Sequence, residues 1–412
     1  MGQRIPTRRR TVRELLAHAK DVAELMIDLA YASVFYGEEA LAREVRRLEA
    51  SLAGDLEELR EVSMLAARTP EDAAGMSGVL ALAGAIENIA DAAEDIATIT
   101  LRRLGVPQEL RNDLRHAAEV VSRVKVGEGS ALDGRALCDV ELASHTGMWA
   151  IAIRRGDEYQ FGPEGDFVVH GGDALLLQGP EAGVAKVRDL AGQTGADGPP
   201  EESTGAALTN LDRAVDLCVE LKNASETAVG LAYSTILLGD RNLAAQVAVI
   251  ESRTDQLWDE LERWALEAAA DADQPVQLRG LFHMAAASER IADAARDMTR
   301  LVEGDEPPHP IIASALGETD EIIADAIVGT GSAADGATLA SLAFHTTTGM
   351  EVLAIERTDR WIYRPVRSQA LRADDRLLVL GPHEGLTALR ERCGDERPVE
   401  ETSLRSESDE DE

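Results

Sequence analysis

The chain matches itself at one fixed offset of 202 residues, without a gap, from its first tenth to its end. Lys20 pairs with Lys222, Leu29-Ala30-Tyr31 with Leu231-Ala232-Tyr233, Gly37 with Gly239, Leu41-Ala42 with Leu243-Ala244 and Glu49 with Glu251. The run from Glu87 to Asp95 pairs with that from Glu289 to Asp297. Ser130, Gly134, Leu137, Thr146-Gly147, Arg155, Pro163, Asp173 and Gly179 then pair with Ser332, Gly336, Leu339, Thr348-Gly349, Arg357, Pro365, Asp375 and Gly381. So long a period exceeds the roughly 20–50 residues of a solenoid unit. It reads as a duplicated pair of domains, and function is to be sought among the positions both copies keep.

A chain of 412 residues has room for about two to four domains. Its net charge of −34 is extreme, and lysine occurs only at Lys20, Lys125, Lys186 and Lys222. Self-repulsion on that scale strains a compact state, but at molar salt the Debye length falls to about 3 Å and most of it disappears. The acids are spread along the whole chain, which suggests a potassium-rich cytosol such as that of a halophilic archaeon. The same charge argues against nucleic acid as a partner. Thr7-Arg8-Arg9-Arg10 is the one basic cluster, and it reads as the solvated start of a helix rather than an arm for anionic lipid. The longest nearly uncharged apolar run, Met76 to Ile86, is too short to cross a bilayer, and the N-terminus has no hydrophobic h-region. Cys138, Cys218 and Cys393 do not recur at the offset and fit reduced packing residues. A soluble cytoplasmic protein is expected.

Residues from Thr11 to Leu104 follow three-four spacing, with Gly37, Thr69-Pro70 and Gly54 as candidate interruptions. A bundle of about three antiparallel helices follows over 11–110, repeated over 207–304. Period-two segments then appear at Val120 to Val126, Trp149 to Ile153 and Phe167 to His170. Ala174 to Gln178 is a further strand, with short helices expected within Gly134 to Leu142 and Glu181 to Ala191. These make a small α/β domain over 116–192, repeated over 318–394. Residues 193–206 read as a linker and 395–412 as an acidic disordered tail. The fold class expected is a multidomain α+β protein, in the order bundle, small domain, bundle, small domain.

The helical halves resemble the PhoU family, helical bundles that regulate transport systems from the cytosol. The resemblance rests on Gly239-Asp240, Leu243-Ala244, Val247, Glu251 and Asp255, and on Glu289-Arg290-Ile291-Ala292-Asp293. The small domains resemble the C-terminal domain of TrkA, the ligand-sensing half of potassium channel and transporter regulators. Here the carriers are Gly129-Ser130, Gly134, Leu137, Thr146-Gly147, Ile151 to Gly156, and Gly172-Asp173 through Leu175-Leu176 to Gly179. The second copy keeps Gly331-Ser332, Gly336, Thr348-Gly349, Arg357, Asp375 and Gly381. The resemblances imply a non-catalytic regulator with an integral membrane cation channel or transporter as partner, positioned by it at the inner face of the membrane. They also imply a ligand such as a nucleotide or cyclic dinucleotide at the small domains, which pair within the chain or in a homodimer. A regulator of phosphate uptake is the alternative. No G-x-G-x-x-G lies between a strand and a helix, and Gly329-Thr330-Gly331 reads as a turn, so NAD is not expected.

Glu87, Asp91 and Asp95 share one helix face, as do Glu289, Asp293 and Asp297. Like charges at this spacing disfavour an isolated helix by some tenths of a kcal/mol per pair. Retaining that cost twice invites a compensating cation, although a solvated acidic face accounts for the same pattern. The PhoU resemblance implies divalent or trivalent metal at these acids and at Glu251-x-x-x-Asp255, since carboxylate oxygens suit hard ions. The copies differ: Ala53 stands opposite Asp255, and Gly230 opposite Asp28 of the pair Glu24-x-x-x-Asp28. Arg155 and Arg357 are candidates for an anionic ligand, with a salt-bridged surface arginine as the plainer reading. The histidines do not recur at the offset, and no nucleophile elbow or phosphate loop is present.

Overall fold

The computed structural model describes residues 10–114, 120–156, 158–193, 209–271, 275–304, 308–317, 319, 321–358, 360–363 and 365–397. Most of the basic N-terminal cluster, all but the first residue of the linker, and the tail beyond 397 lie outside these residues.

Each copy opens with three long helices: α1 (Val12–Tyr36), α2 (Glu39–Ala66) and α3 (Pro70–Leu101). A short α4 (Gln108–Asp113) leads into the first small domain. The breaks have local causes. Gly37 ends α1 in the left-handed conformation (φ 66°), its N–H bonded to the Ser33 carbonyl, as a C-terminal glycine does. Thr69 caps α3 reciprocally with Asp72, and Pro70 fills the first turn, where no N–H is needed. Gly54 interrupts nothing and lies inside α2. Although Glu87, Asp91, Glu94 and Asp95 follow the apolar run, α3 continues through them. The stretch Asp72–Leu101 is long and apolar enough to cross a membrane by length and composition, but Val79, Leu82, Ile86, Ile89 and Ile96 of it are buried in the core.

The first small domain contains β1 (Val120–Lys125), α5 (Leu137–Val140), α6 (Leu142–Thr146), β2 (Trp149–Arg155), β3 (Glu158–Phe161), β4 (Ala174–Gly179) and α7 (Glu181–Leu190). Its strands form an antiparallel sheet in the order β1-β4-β2-β3. One expected strand is absent. Phe167 to His170 pairs with the 134–137 loop instead, through Leu137 N–H to Phe167 O and Val169 N–H to Arg135 O. The outer strand β3, too short for a period-two signal, takes the place at the sheet edge.

The second copy repeats this order. Its bundle is α8 (Asn210–Leu238), α9 (Arg241–Asp271) and α10 (Arg279–Glu303), followed by α11 (Pro310–Leu316). Its small domain contains β5 (Glu321–Ile327), α12 (Leu339–Leu342), α13 (Phe344–Thr348), β6 (Glu351–Arg357), β7 (Arg360–Tyr363), β8 (Arg376–Pro382) and α14 (His383–Cys393). The sheet order is β5-β8-β6-β7. Gly239 (φ 63°) ends α8, and Asp240 accepts from the Asn242 N–H at the start of α9. Of the tail expected over 395–412, residues 395–397 are held by the second small domain: Asp395 accepts from the Ile327 N–H and pairs with Arg397 at 2.6 Å.

One continuous core runs through both bundles and reaches each sheet. The β2 bulge between Ala150 and Ala152 turns both Ile151 and Ala152 toward the bundles, and the β6 bulge does the same for Leu353 and Ala354. The opposite sheet faces close separate small cores around Leu175 and Leu177, and around Leu377 and Val379. The halves are joined by α3 packed on α10, and the connecting helices reach across: α4 lies on α8, and α11 lies between α1 and α8. The small domains meet through α6 and α13. A Cβ at Gly147 would lie 2.3 Å from the His345 carbonyl oxygen, and one at Gly349 would lie 2.7 Å from that of Ala143. This close approach explains why both copies keep Thr-Gly there.

The divergence at Asp28 belongs to the joint between bundle and sheet. Gln178 donates to Asp28 at 2.6 Å in the first copy. In the second, Leu380 stands where Gln178 does, and its side chain packs on Gly230 together with Leu353. A polar pair has been exchanged for an apolar one. Gln178→Leu alone should therefore destabilise the fold by about 1–2 kcal/mol, through loss of this hydrogen bond to a part-buried carboxylate. Adding Asp28→Gly should recover part of that loss, giving a coupling of opposite sign in a urea-denaturation double-mutant cycle.

Candidate functional site

The two carboxylate faces differ in what surrounds them. In the second copy, α9 carries Glu251 and Asp255 and α10 carries Asp293, and one carboxylate oxygen from each lies within 4.8 Å of the others. None of the three forms an ion pair among the described residues. Glu289, one turn before Asp293, has its pKa raised from 4.5 to about 7 by burial, then by the charges of Asp293 and Asp255. Burial, followed by the charge of Glu251, raises Asp293 as well. Asp297 is directed to Arg300 at 2.8 Å. Three converging hard oxygens with no cation of their own fit a divalent or trivalent ion.

The first copy has neutralised its face. Arg60 pairs with Glu87, Arg290 reaches across from α10 to Asp95, and Arg46 pairs with Glu94 at 3.1 Å. At the offset, Arg46 faces Ala248 and Arg60 faces Glu262, so the second copy lacks both arginines. Ala53 stands where the second copy has the carboxylate of Asp255. Asp91 and Glu49 remain with raised pKa values, each chiefly through burial and next through a neighbouring acid, Glu87 for Asp91 and Glu94 for Glu49.

Arg155 and Arg357 hold the sheets together. Arg155 donates Nε and Nη2 to the carboxylate of the buried Asp173 at 2.8 and 2.7 Å, and Nη2 also donates to the Val168 carbonyl. Arg357 does the same with Asp375 at 2.7 and 2.6 Å and with the Ala370 carbonyl. Burial pushes the Asp173 carboxyl up, and the hydrogen bonds from Arg155 and the His170 N–H reverse the direction. Such bidentate pairing accounts for both arginines without a ligand.

A different pair of cations lies at the seam between the small domains. Lys186 on α7 donates to the His145 carbonyl of its own domain at 3.1 Å and across the seam to the Thr346 carbonyl. Arg392 on α14 donates to the Leu342 carbonyl at 2.9 Å and to the Thr347 hydroxyl at 2.5 Å. Both therefore converge on α13. Burial lowers the Lys186 pKa, and the neighbouring Arg392 charge lowers it further. Neither has a carboxylate partner among the described residues, in a chain of net charge −34. The repeat hides them, because Lys186 faces Ala388 and Arg392 faces Leu190. A site on a pseudo-twofold axis can be assembled from one unmatched residue per side, and a search for matched residues misses it.

The acid cluster carries a pH signature. A carboxyl raised from 4.5 to about 7 favours the fold in its protonated state, so its contribution is complete below about pH 4.5 and is lost as pH rises through about 7. Without added metal, Tm should fall between pH 5 and pH 8 for this reason, and Glu289→Gln should flatten that part of the profile.

Family models match this architecture. The PhoU domain matches residues 16–100 and 218–302, and the TrkA-C domain matches residues 121–192 and 323–394. A comparison with curated proteins gives no match. Among solved structures, PhoU from Pseudomonas aeruginosa aligns at 14% identity and a TM-score of 0.39, covering 71% of this chain and 93% of that one. The GsuK RCK domain aligns at 16% identity and a TM-score of 0.18, covering 67% of this chain and 64% of that one. The GsuK channel bound to NAD aligns at 14% identity and a TM-score of 0.18, covering 77% and 65%. Both of these are alignments to less than two thirds of the other chain. The chain is a tandem duplication in which two PhoU domains alternate with two TrkA-C domains.

Proposed function

We propose that the chain is a ligand-sensing regulatory subunit of a cation channel or transporter, with potassium as the transported ion, working from the cytoplasm against its membrane partner. Its PhoU and TrkA-C domains are regulatory rather than catalytic kinds. The observation that carries the reading is the pair of carboxylate-free cations, Lys186 and Arg392, converging on α13 where the two TrkA-C domains meet. An anionic ligand such as a nucleotide or a cyclic dinucleotide bound there would neutralise two like charges at once. It would thereby favour one mutual arrangement of the small domains, and it acts as a switch only through different affinities for two arrangements. Each sheet is packed against the bundles, so a change at the seam is passed to α1 and α8. In this reading the functional pair of TrkA-C domains comes from one chain.

Glu251, Asp255 and Asp293 would hold a metal ion between α9 and α10. Bound there, the ion would tie two helices of the second bundle together and relieve the repulsion among their acids. This trio also supports a second reading, a metal-binding PhoU-type regulator of phosphate transport.

Two measurements test the proposal, both in high KCl. Cyclic di-AMP, ATP and inorganic phosphate are added separately while Tm is recorded. At least one should raise Tm for the native chain and fail to do so for Lys186→Met with Arg392→Met, and no shift from any of them refutes the seam as a ligand site. Mn²⁺ should raise Tm, and Asp255→Asn should abolish that shift while Asp95→Asn leaves it in place. Recovery of a potassium channel or transporter from membranes supports the first reading, and recovery of a phosphate transporter supports the second.

A further inference from the structure

Two of the four lysines are buried, and they are the two that the repeat matches. Lys20 on α1 is 1% exposed and pairs with Glu24 at 2.7 Å, and Lys222 on α8 is 4% exposed and pairs with Glu226 at 2.6 Å. Each ammonium also lies near a tyrosine ring of the other bundle: Lys20 is 5.3 Å from the Tyr233 centroid and Lys222 is 5.0 Å from that of Tyr31. Lysine, glutamate and tyrosine all recur at the offset, so the arrangement is one contact made twice about the pseudo-twofold axis. An ammonium held against a ring in a desolvated place is attracted by the ring's quadrupole. A buried charge pair of this kind contributes little net stability but can fix register, because any other register leaves its charges unpaired.

The two halves of the contact are unequal. The Tyr31 hydroxyl is 2.9 Å from the Ser288 hydroxyl on α10, tying α1 to both α8 and α10 of the other bundle. At the offset, Ser288 faces Ile86. The Tyr233 hydroxyl, buried with its ring, accordingly has no hydrogen-bond partner among the described residues. An orphaned buried hydroxyl weakens the closed arrangement on that side. Lys20 is also where a third module comes in: burial opposes its charge, and Glu24, then Glu321 at the start of β5, more than offset that.

We propose that the Lys20–Tyr233 and Lys222–Tyr31 contacts form a two-point latch that sets the angle between the bundles, with the Tyr233 side the one that opens. The latch is independent of which ligand or transporter the protein serves. It gives the bundles one closed register with a weak and a strong edge, so that motion between them is a rotation about the Tyr31–Ser288 edge rather than a separation.

The tyrosine-to-phenylalanine variants test this without disturbing the packing. Tyr31→Phe loses a made hydrogen bond and Tyr233→Phe loses an orphaned hydroxyl, so the first should lower Tm by about 2 °C and the second should leave it unchanged or raise it. Spin labels at Ser51 on α2 and Ser252 on α9, in a chain with its cysteines replaced, report the distance between bundles. Tyr31→Phe should broaden that distance distribution and Tyr233→Phe should narrow it, while Lys20→Met with Lys222→Met should broaden it most. Equal shifts for the two tyrosines, or a native distribution in a folded double-lysine variant, would overturn the latch.

Discussion

Everything in this molecule hangs on the packing of α3 against α10. These helices cross antiparallel, Gly78 approaching Leu301 while Gly280 approaches Ile99 and the Gly105 backbone. The Gly280 N–H, in the first turn of α10, donates to the carbonyl of Gly105 in the loop after α3 at 2.9 Å, a main-chain hydrogen bond from one half of the chain to the other. A Cβ at position 280 would sit 2.3 Å from that oxygen, so only glycine permits the approach. Because the bundles are locked back to back, α1 and α8 face each other, and the two sheets resting on them are brought together at α6 and α13. The apolar core is thus shared between halves, and neither half has a complete one.

Much of this architecture was legible in the sequence because the interactions involved are local or duplicated. Capping by Thr69 and Asp72, the left-handed Gly37, and three-four spacing along α1 depend on residues a few positions apart. The Thr-Gly pairs were visible too, as survivors of duplication, although their cause, a backbone-to-backbone approach between two domains, is a long-range fact. What stayed hidden was of two kinds. The strand β3 and the loop pairing of Phe167 to His170 are decided by which edge of the sheet is free, which no window of sequence contains. Lys186 and Arg392 were hidden by the repeat, which draws attention to matched residues and away from unmatched ones at the seam.

The matched residues have correspondingly divided meanings. Arg155 with Asp173, and Arg357 with Asp375, persist because each copy needs the same internal brace. Lys20 and Lys222 persist because they face one another's bundle, so that a change in one copy would leave the other copy's tyrosine without its cation. The carboxylate face shows the opposite fate. Arg46, Arg60 and Ala53 close it in the first copy, while the second keeps the converging acids Glu251, Asp255 and Asp293.

The reach of the short helices across the halves bears on how such a protein can change over evolutionary time. Since α4 lies on α8 of the other half, and α11 packs on α1 as well as on α8 of its own half, each copy carries part of the other's surface. Deletion of either copy would strip the survivor of its cover and expose the apolar flank beneath. Duplication here has passed the point of return: two once-separable partners have become one obligate object, free to specialise on either side but no longer free to part.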